Sequence, residues 1–290
     1  MERLFFDLTE SFRTFGRSFK KSVMKRLISN VLMGATLCLV SASFTGCNLI
    51  SALDRIYIDK WAGLVNEKVC ETKVTGNTVT YGEHSYTVDG TISYDFNPGE
   101  YRQQVTASVT FTNIPSGFNE FKAVYEGLLG KSVEGTVSMV PMAMEIYARS
   151  ASTGERCLGL LCKDEATVDG IVRILKSKIV PSTASGADDE YIQRYLPAAL
   201  LKGANYENAY APAEPYTVEM GPAATLPQET KMTPYGTVYY TYIFADGWDS
   251  HNRGVDIFLP KGESLYKVQG CSSCYTQCKT IFKGPWEGLK

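Results

Sequence analysis

The chain has 290 residues, with 29 Lys and Arg against 31 Asp and Glu, a formal net charge of -2 and 44% hydrophobic residues. That balance supplies no concentrated basic surface of the kind a nucleic-acid groove needs. The length is enough for one large domain or two small ones with a substantial core.

Met24, Lys25 and Arg26 stand before an apolar run from Leu27 to Val40. A short basic flank followed by such a run describes a secretory signal, and the run is too short for a confident membrane-spanning helix. Phe44, Thr45 and Gly46 then lead into Cys47, a stretch that resembles the lipobox of bacterial lipoproteins. The small Gly46 leaves room for a peptidase at the backbone, and the thiol that follows can accept a diacylglycerol. Residues 1–46 are thus expected to be a signal peptide, with 1–23 either a start assigned too early or a long, surface-seeking basic leader. Cys47 becomes the lipidated first residue, held by two or three acyl chains such as palmitate, each buried CH₂ contributing about 0.8 kcal/mol. The expected location is the outer membrane, on either its periplasmic or its cell-surface side. The 244 residues left carry 22 Lys and Arg against 28 Asp and Glu, a mildly acidic balance that further disfavours nucleic acid.

Ile50, Leu53, Ile56, Tyr57, Trp61, Leu64 and Val65 recur at helical spacing, so residues 47–75 read as the anchor followed by an amphipathic helix. The period then changes to two. Val79 and Tyr81, then Tyr86, Val88, Ile92, Tyr94 and Phe96, then Val105, Ala107, Val109 and Phe111 alternate with polar or small residues. Residues 76–112 therefore predict an antiparallel meander with one apolar face.

Residues 118–204 predict four to five helices. Their stripes are Phe118, Phe121, Val124, Tyr125 and Leu128; Val133, Val137, Val140, Met144 and Tyr147, with Pro141 inside; a stretch around Cys157 to Leu161; and Val168, Ile171, Val172, Leu175 and Ile179. Asp164 suits the start of that fourth helix and Lys178 its end. Tyr191, Ile192, Tyr195, Leu196 and Leu200 suggest a last one. An irregular crossing with one short strand at Tyr216, Val218 and Met220 follows. Strands then resume at 238–244, Val255 to Leu259 and Leu265 to Val268. The order gives an α+β fold: a β-meander, a central helical region and C-terminal antiparallel strands, forming a single domain over 76–290.

Once Cys38 leaves with the signal and Cys47 takes lipid, six cysteines remain: Cys70, Cys157, Cys162, Cys271, Cys274 and Cys278. An even number in an exported chain favours disulfides. A turn through Ser272 and Ser273 makes Cys271 and Cys274 the best-placed local pair. Cys271, Cys274 and Cys278 would suit zinc or an iron–sulfur cluster only with a fourth ligand, and the chain has two histidines, His84 and His251. Gly130-Lys131-Ser132 ends like a phosphate-binding loop, but Tyr125 stands where its first glycine belongs. Ser264 and Lys267 match a serine–lysine spacing without the helix that would aim both inward.

The most chemically suggestive loop is Asp246, Gly247, Trp248, Asp249, Ser250, His251, Asn252 and Arg253. Its carboxylates and amide could hold calcium or a sugar-like ligand, with Trp248 as an apolar platform; a long hairpin connection uses the same residue types for turns alone. Beyond calcium at this loop, no cofactor is expected.

The runs Phe118-Asn119-Glu120-Phe121, Met142 to Arg149, Tyr195-Leu196-Pro197 to Ala204, and Pro215 to Met220 resemble a family of uncharacterised exported proteins and lipoproteins of gut-type Bacteroidota. The likeness covers about residues 118–282 and implies no catalytic residue; Cys271 and Cys274 around the serine pair depart from it. The expected function is a lipid-anchored, non-catalytic binding or interaction module for an envelope protein or glycan. The alternative is an envelope hydrolase using His251 or His84.

Overall fold

In the first hairpin, Thr72–Thr75 (β1) and Thr78–Tyr81 (β2) pair antiparallel around Gly76, which sits at φ 59°. The computed structural model describes residues 65–94, 104–179, 194–223 and 230–279. Cys47, the signal segment and most of the helix expected over 47–75 lie outside them. The end of that expectation is corrected: Thr72, Val74 and Thr75 are β-branched and pair as a strand.

His84–Gly90 (β3) and Ala107–Phe111 (β4) continue the meander. The alternation in the sequence runs on to Phe96, yet β3 ends at Gly90. There φ is +77°, and a Cβ would meet Thr106 O at 2.5 Å. Ile92 instead gives its N–H to the buried Glu134 carboxylate at 2.6 Å.

Four helices follow: Phe118–Gly127 (α1), Val133–Arg149 (α2), Ala151–Leu161 (α3) and Glu165–Lys178 (α4). Ser132, Ser150 and Asp164 cap the last three by accepting backbone N–H bonds. The fifth expected helix is reduced, within the described residues, to a turn over 194–197 and a 3-10 turn at Ala198–Leu200. Lys202 N then donates to Thr217 O at 2.8 Å, turning the chain toward the sheet.

Tyr216–Pro222 (β5) is more than a short strand in an irregular crossing. It pairs with β4 on one side, Phe111 opposite Tyr216 and Val109 opposite Val218, and with Gly236–Phe244 (β7) on the other. Thr230–Thr233 (β6) pairs with the opening half of β7, while β5 takes its closing half. Asn252–Pro260 (β8) and Lys267–Gly270 (β9) complete an antiparallel sheet of nine strands among the described residues. The fold is α+β, as expected, with the helices inserted between two adjacent strands, β4 and β5.

The helices cover one face of this sheet. α1 lies over β1 and β2, while α2 crosses β4, β7, β8 and β9. α2 is buried from Val133 to Tyr147, so it behaves as a core element rather than as a one-sided amphipathic helix. At Gly154 the backbones of α2 and α3 meet so closely that a Cβ would lie 2.2 Å from Tyr147 Cα.

Gly154→Ala is therefore expected to lower the unfolding free energy by about 3 kcal/mol, because backbone cannot yield as a side chain does. Gly159→Ala in the same helix, with nothing within 4 Å of the new methyl, should raise it by about 0.5–1 kcal/mol. Urea unfolding of the two variants reads both signs.

Candidate functional site

Helix α1 begins without a local side-chain cap at Gly117. Its first two N–H groups are served by Glu67, from the segment before β1. The Glu67 carboxylate accepts from Phe118 N at 3.4 Å and Asn119 N at 3.1 Å, and Asn119 Nδ2 donates to Glu67 O at 2.7 Å. Arg156 of α3 pairs with Glu67 at 3.3 Å and lies 4.1 Å from the Phe118 ring centroid.

Glu120, in the first turn of α1, is 1% exposed. Its Oε2 accepts from Ser116 N at 2.8 Å and Ser116 Oγ at 2.7 Å. Its Oε1 accepts from Tyr86 Oη at 2.7 Å and lies 2.6 Å from His84 Nδ1. Asn113 Nδ2 lies 3.0 Å from His84 Nε2. Both ring contacts are satisfied when Nδ1–H donates to Glu120 and Asn113 donates to Nε2. Burial, with Glu120 next, pushes the Tyr86 hydroxyl well above its ordinary range, which keeps it a donor.

A histidine 2.6 Å from a buried carboxylate has the base–orienter half of a hydrolytic triad. The other half is not assembled. Ser116 Oγ gives its proton to Glu120 rather than facing Nε2, and the Asn113 amide occupies Nε2. His251 offers less: it is 61% exposed and pairs at 3.3 Å with Asp246, itself 53% exposed.

In the loop 246–253, Gly247, Trp248 and Arg253 are folded inward, while Asp246, Asp249, Ser250 and His251 are exposed. Trp248 is 7% exposed, and the Arg253 guanidinium lies 4.8 Å from its ring centroid. The cation already covers the aromatic face that a sugar would use. Arg253 also donates to Ser250 O, Ser273 O and Thr276 Oγ1. A Cβ on Gly247 would sit 3.0 Å from Ala199 and Tyr210 atoms, and Asn252 is the first residue of β8. Asp249 pairs with Lys279 at 2.7 Å, and this ammonium holds its carboxyl below the usual range. Asp246 faces the His251 imidazole and Asp249 the Lys279 ammonium. Among the described residues no group of three or more His, Cys, Asp or Glu is placed to hold a metal.

Cys271 and Cys274 are unbridged in the structure, so the bridge read from their spacing is not formed there. Cys274 N donates to Cys271 O at 2.9 Å across the 3-10 turn, while Cys274 Sγ turns to Gly254 O at 3.8 Å. Burial pushes the Cys157, Cys162 and Cys274 thiols up to about 12 and drives Cys271 well above its ordinary value. Of the other sequence motifs, Lys131 Nζ is bonded to Gly127 O at 2.9 Å and Lys267 Nζ to Leu160 O at 2.6 Å; both ammoniums tie down main chain.

Sequence reading took up His84 and left out Glu120, Tyr86, Asn113 and Ser116. Together the fold and cluster define an α+β domain whose helical layer is pinned to its meander by a buried carboxylate. The chain belongs to the family described as Domain of unknown function (DUF6935), which matches residues 113–281. No curated protein and no solved structure matches it significantly.

Glu120→Ala is expected to lower the unfolding free energy by about 3 kcal/mol, because it strands the Tyr86 hydroxyl and two Ser116 donors; a urea-midpoint change equivalent to less than about 1 kcal/mol would remove the carboxylate from that role. In the reduced, folded protein, iodoacetamide should alkylate the half-buried Cys70 well before Cys157, Cys162, Cys271 or Cys274. A thiol at about 12 is only about one part in 10⁴ thiolate at pH 8. Peptide mass spectrometry of a labelling time course measures the order.

Proposed function

We propose that the chain is a lipid-anchored protein of the cell envelope, an outer-membrane lipoprotein of the kind found in gut-type Bacteroidota, acting as a non-catalytic binding or interaction module. The signal run before Cys47 and the lipobox-like Phe44-Thr45-Gly46-Cys47 support the anchor. The non-catalytic reading is carried by the engagement of His84: its Nε2 meets the Asn113 amide, and the Ser116 and Tyr86 hydroxyls serve Glu120. Acyl chains confine the domain to one surface, which raises its effective concentration for an envelope protein or glycan in the same layer. No nucleic acid is invoked. In an oxidising compartment the turn holding Cys274 N on Cys271 O leaves these two thiols as the pair to close into a disulfide.

The hydrolase alternative keeps one specific observation, the 2.6 Å contact of His84 with Glu120. It requires Asn113 to swing away so that a nucleophile or water can reach Nε2.

Intact-mass and N-terminal peptide analysis of the protein purified from membranes should find a diacylated or triacylated Cys47 as first residue. An unmodified N-terminus upstream of Cys47 overturns the anchor. Hydrolysis of activated ester substrates that vanishes in His84→Ala overturns the non-catalytic reading.

A further inference from the structure

Strands β6 and β7 are joined by a two-residue loop, Pro234-Tyr235, with Thr233 paired to Gly236. Thr233 Oγ1 accepts from Tyr235 N at 3.3 Å and Gly236 N at 3.2 Å and donates to Gly236 O at 2.8 Å. Lys261 N, just past β8, donates to Tyr235 O at 2.8 Å, and a Cβ on Gly236 would meet Leu259 O at 2.1 Å. Pro234 adds a locked φ. The tip is therefore clamped to the neighbouring strand and has little freedom to fold its side chains away.

What this tip presents is apolar. Met232 is 86% exposed and Tyr235 81% exposed, the highest values among the exposed large hydrophobic residues described, and Pro234 between them is exposed as well. Single apolar side chains are ordinary on a protein surface, but several on one clamped turn make a standing apolar point. The charges beside it offset one another: Lys261 and Glu263 are both exposed in the next turn, and Glu229 and Lys231 precede Met232 in the sequence. With no net charge to complement, the tip suits a boundary between polar and apolar media. Tyrosine, with ring and hydroxyl at opposite ends, favours the level between lipid headgroups and acyl chains.

The chain leading to the domain points the same way. Residues 48–64 separate Cys47 from Val65, the first residue described. Their reach at full extension is about 60 Å, more than the span of a domain of this size. A lipid on Cys47 thus keeps the domain near a bilayer without deciding which part of it faces the lipid. A second contact decides that, and at the effective concentration a tether gives, a weak one suffices.

We infer that the β6–β7 tip is a bilayer contact, with Met232 and Tyr235 inserted at the headgroup–acyl boundary so that the tethered domain holds one orientation on the membrane. This rests on the lipid anchor at Cys47 read above. The test uses the full acylated protein, purified from membranes and reconstituted into phosphatidylcholine vesicles with brominated acyl chains. Tyr235→Trp puts a fluorescent reporter at the tip, and wild-type protein supplies the emission of the native tryptophans for subtraction. Bromine should quench the added emission relative to unbrominated vesicles, equally in high salt and with phosphatidylglycerol present, because no charge attraction is invoked. Adding Met232→Asp should cut that quenching at least about threefold, since a carboxylate below the headgroups is costly. Protein that does not float with the vesicles overturns the anchor and the tip contact together. Protein that floats through an acylated Cys47 but shows unquenched tip emission overturns the tip contact alone, as does quenching that needs anionic lipid or survives Met232→Asp undiminished.

Discussion

The Glu120 carboxylate joins three parts of the chain in one place. His84 and Tyr86 approach it from β3, Ser116 from the connection after β4, and the carboxylate itself comes from the first turn of α1. A buried ionised group is tolerable only when its lone pairs are taken up, and here they are taken up by partners from different elements. Satisfying the charge therefore fixes where α1 starts and how it lies on the meander. Glu67 acts at the same helix end from outside the sheet, so the residues leading into β1 are held against the first turn of α1.

The helical layer has a matching constraint at its centre. α2 is buried for most of its length, and neighbours reach it across glycines. A Cβ at Gly135 would fall 2.2 Å from Leu129 O, and one at Gly154 would strike Tyr147. Close packing of this kind converts small residues into position markers. Polar groups on α2 are also accounted for, Glu134 by Ile92 N and Ser138 by Gly135 O. At its C-terminal end Glu145 accepts from Arg149 Nε at 2.9 Å.

Strand and helix periods were readable because each reports a local rule: alternation for a half-buried strand, a stripe for a helix. β7, β8 and the first four helical stripes all fell where the apolar spacing put them. The same rule misled beyond Gly90, where alternation continues through Ile92 and Tyr94 but the ladder does not. It also undervalued β5, whose Pro215 and Pro222 look like loop punctuation. A central place in the sheet rests on register with β4 and β7, which no local window contains.

Loop 246–253 shows the limit at the level of single side chains. Asp, Gly, Asn and His describe a turn correctly, yet nothing local says that Arg253 lies on the Trp248 ring or that Asp249 meets Lys279. The sequence by itself determined the α+β class, the positions of the four main helical stripes and the helix start at Asp164, because these depend on residues near one another in the chain. Tertiary structure alone decided that His84 belongs to Glu120 and that the Ile92 N–H belongs to Glu134. Each of these is a contact between distant segments, and its energy comes from burial that exists only once the helices lie on the sheet.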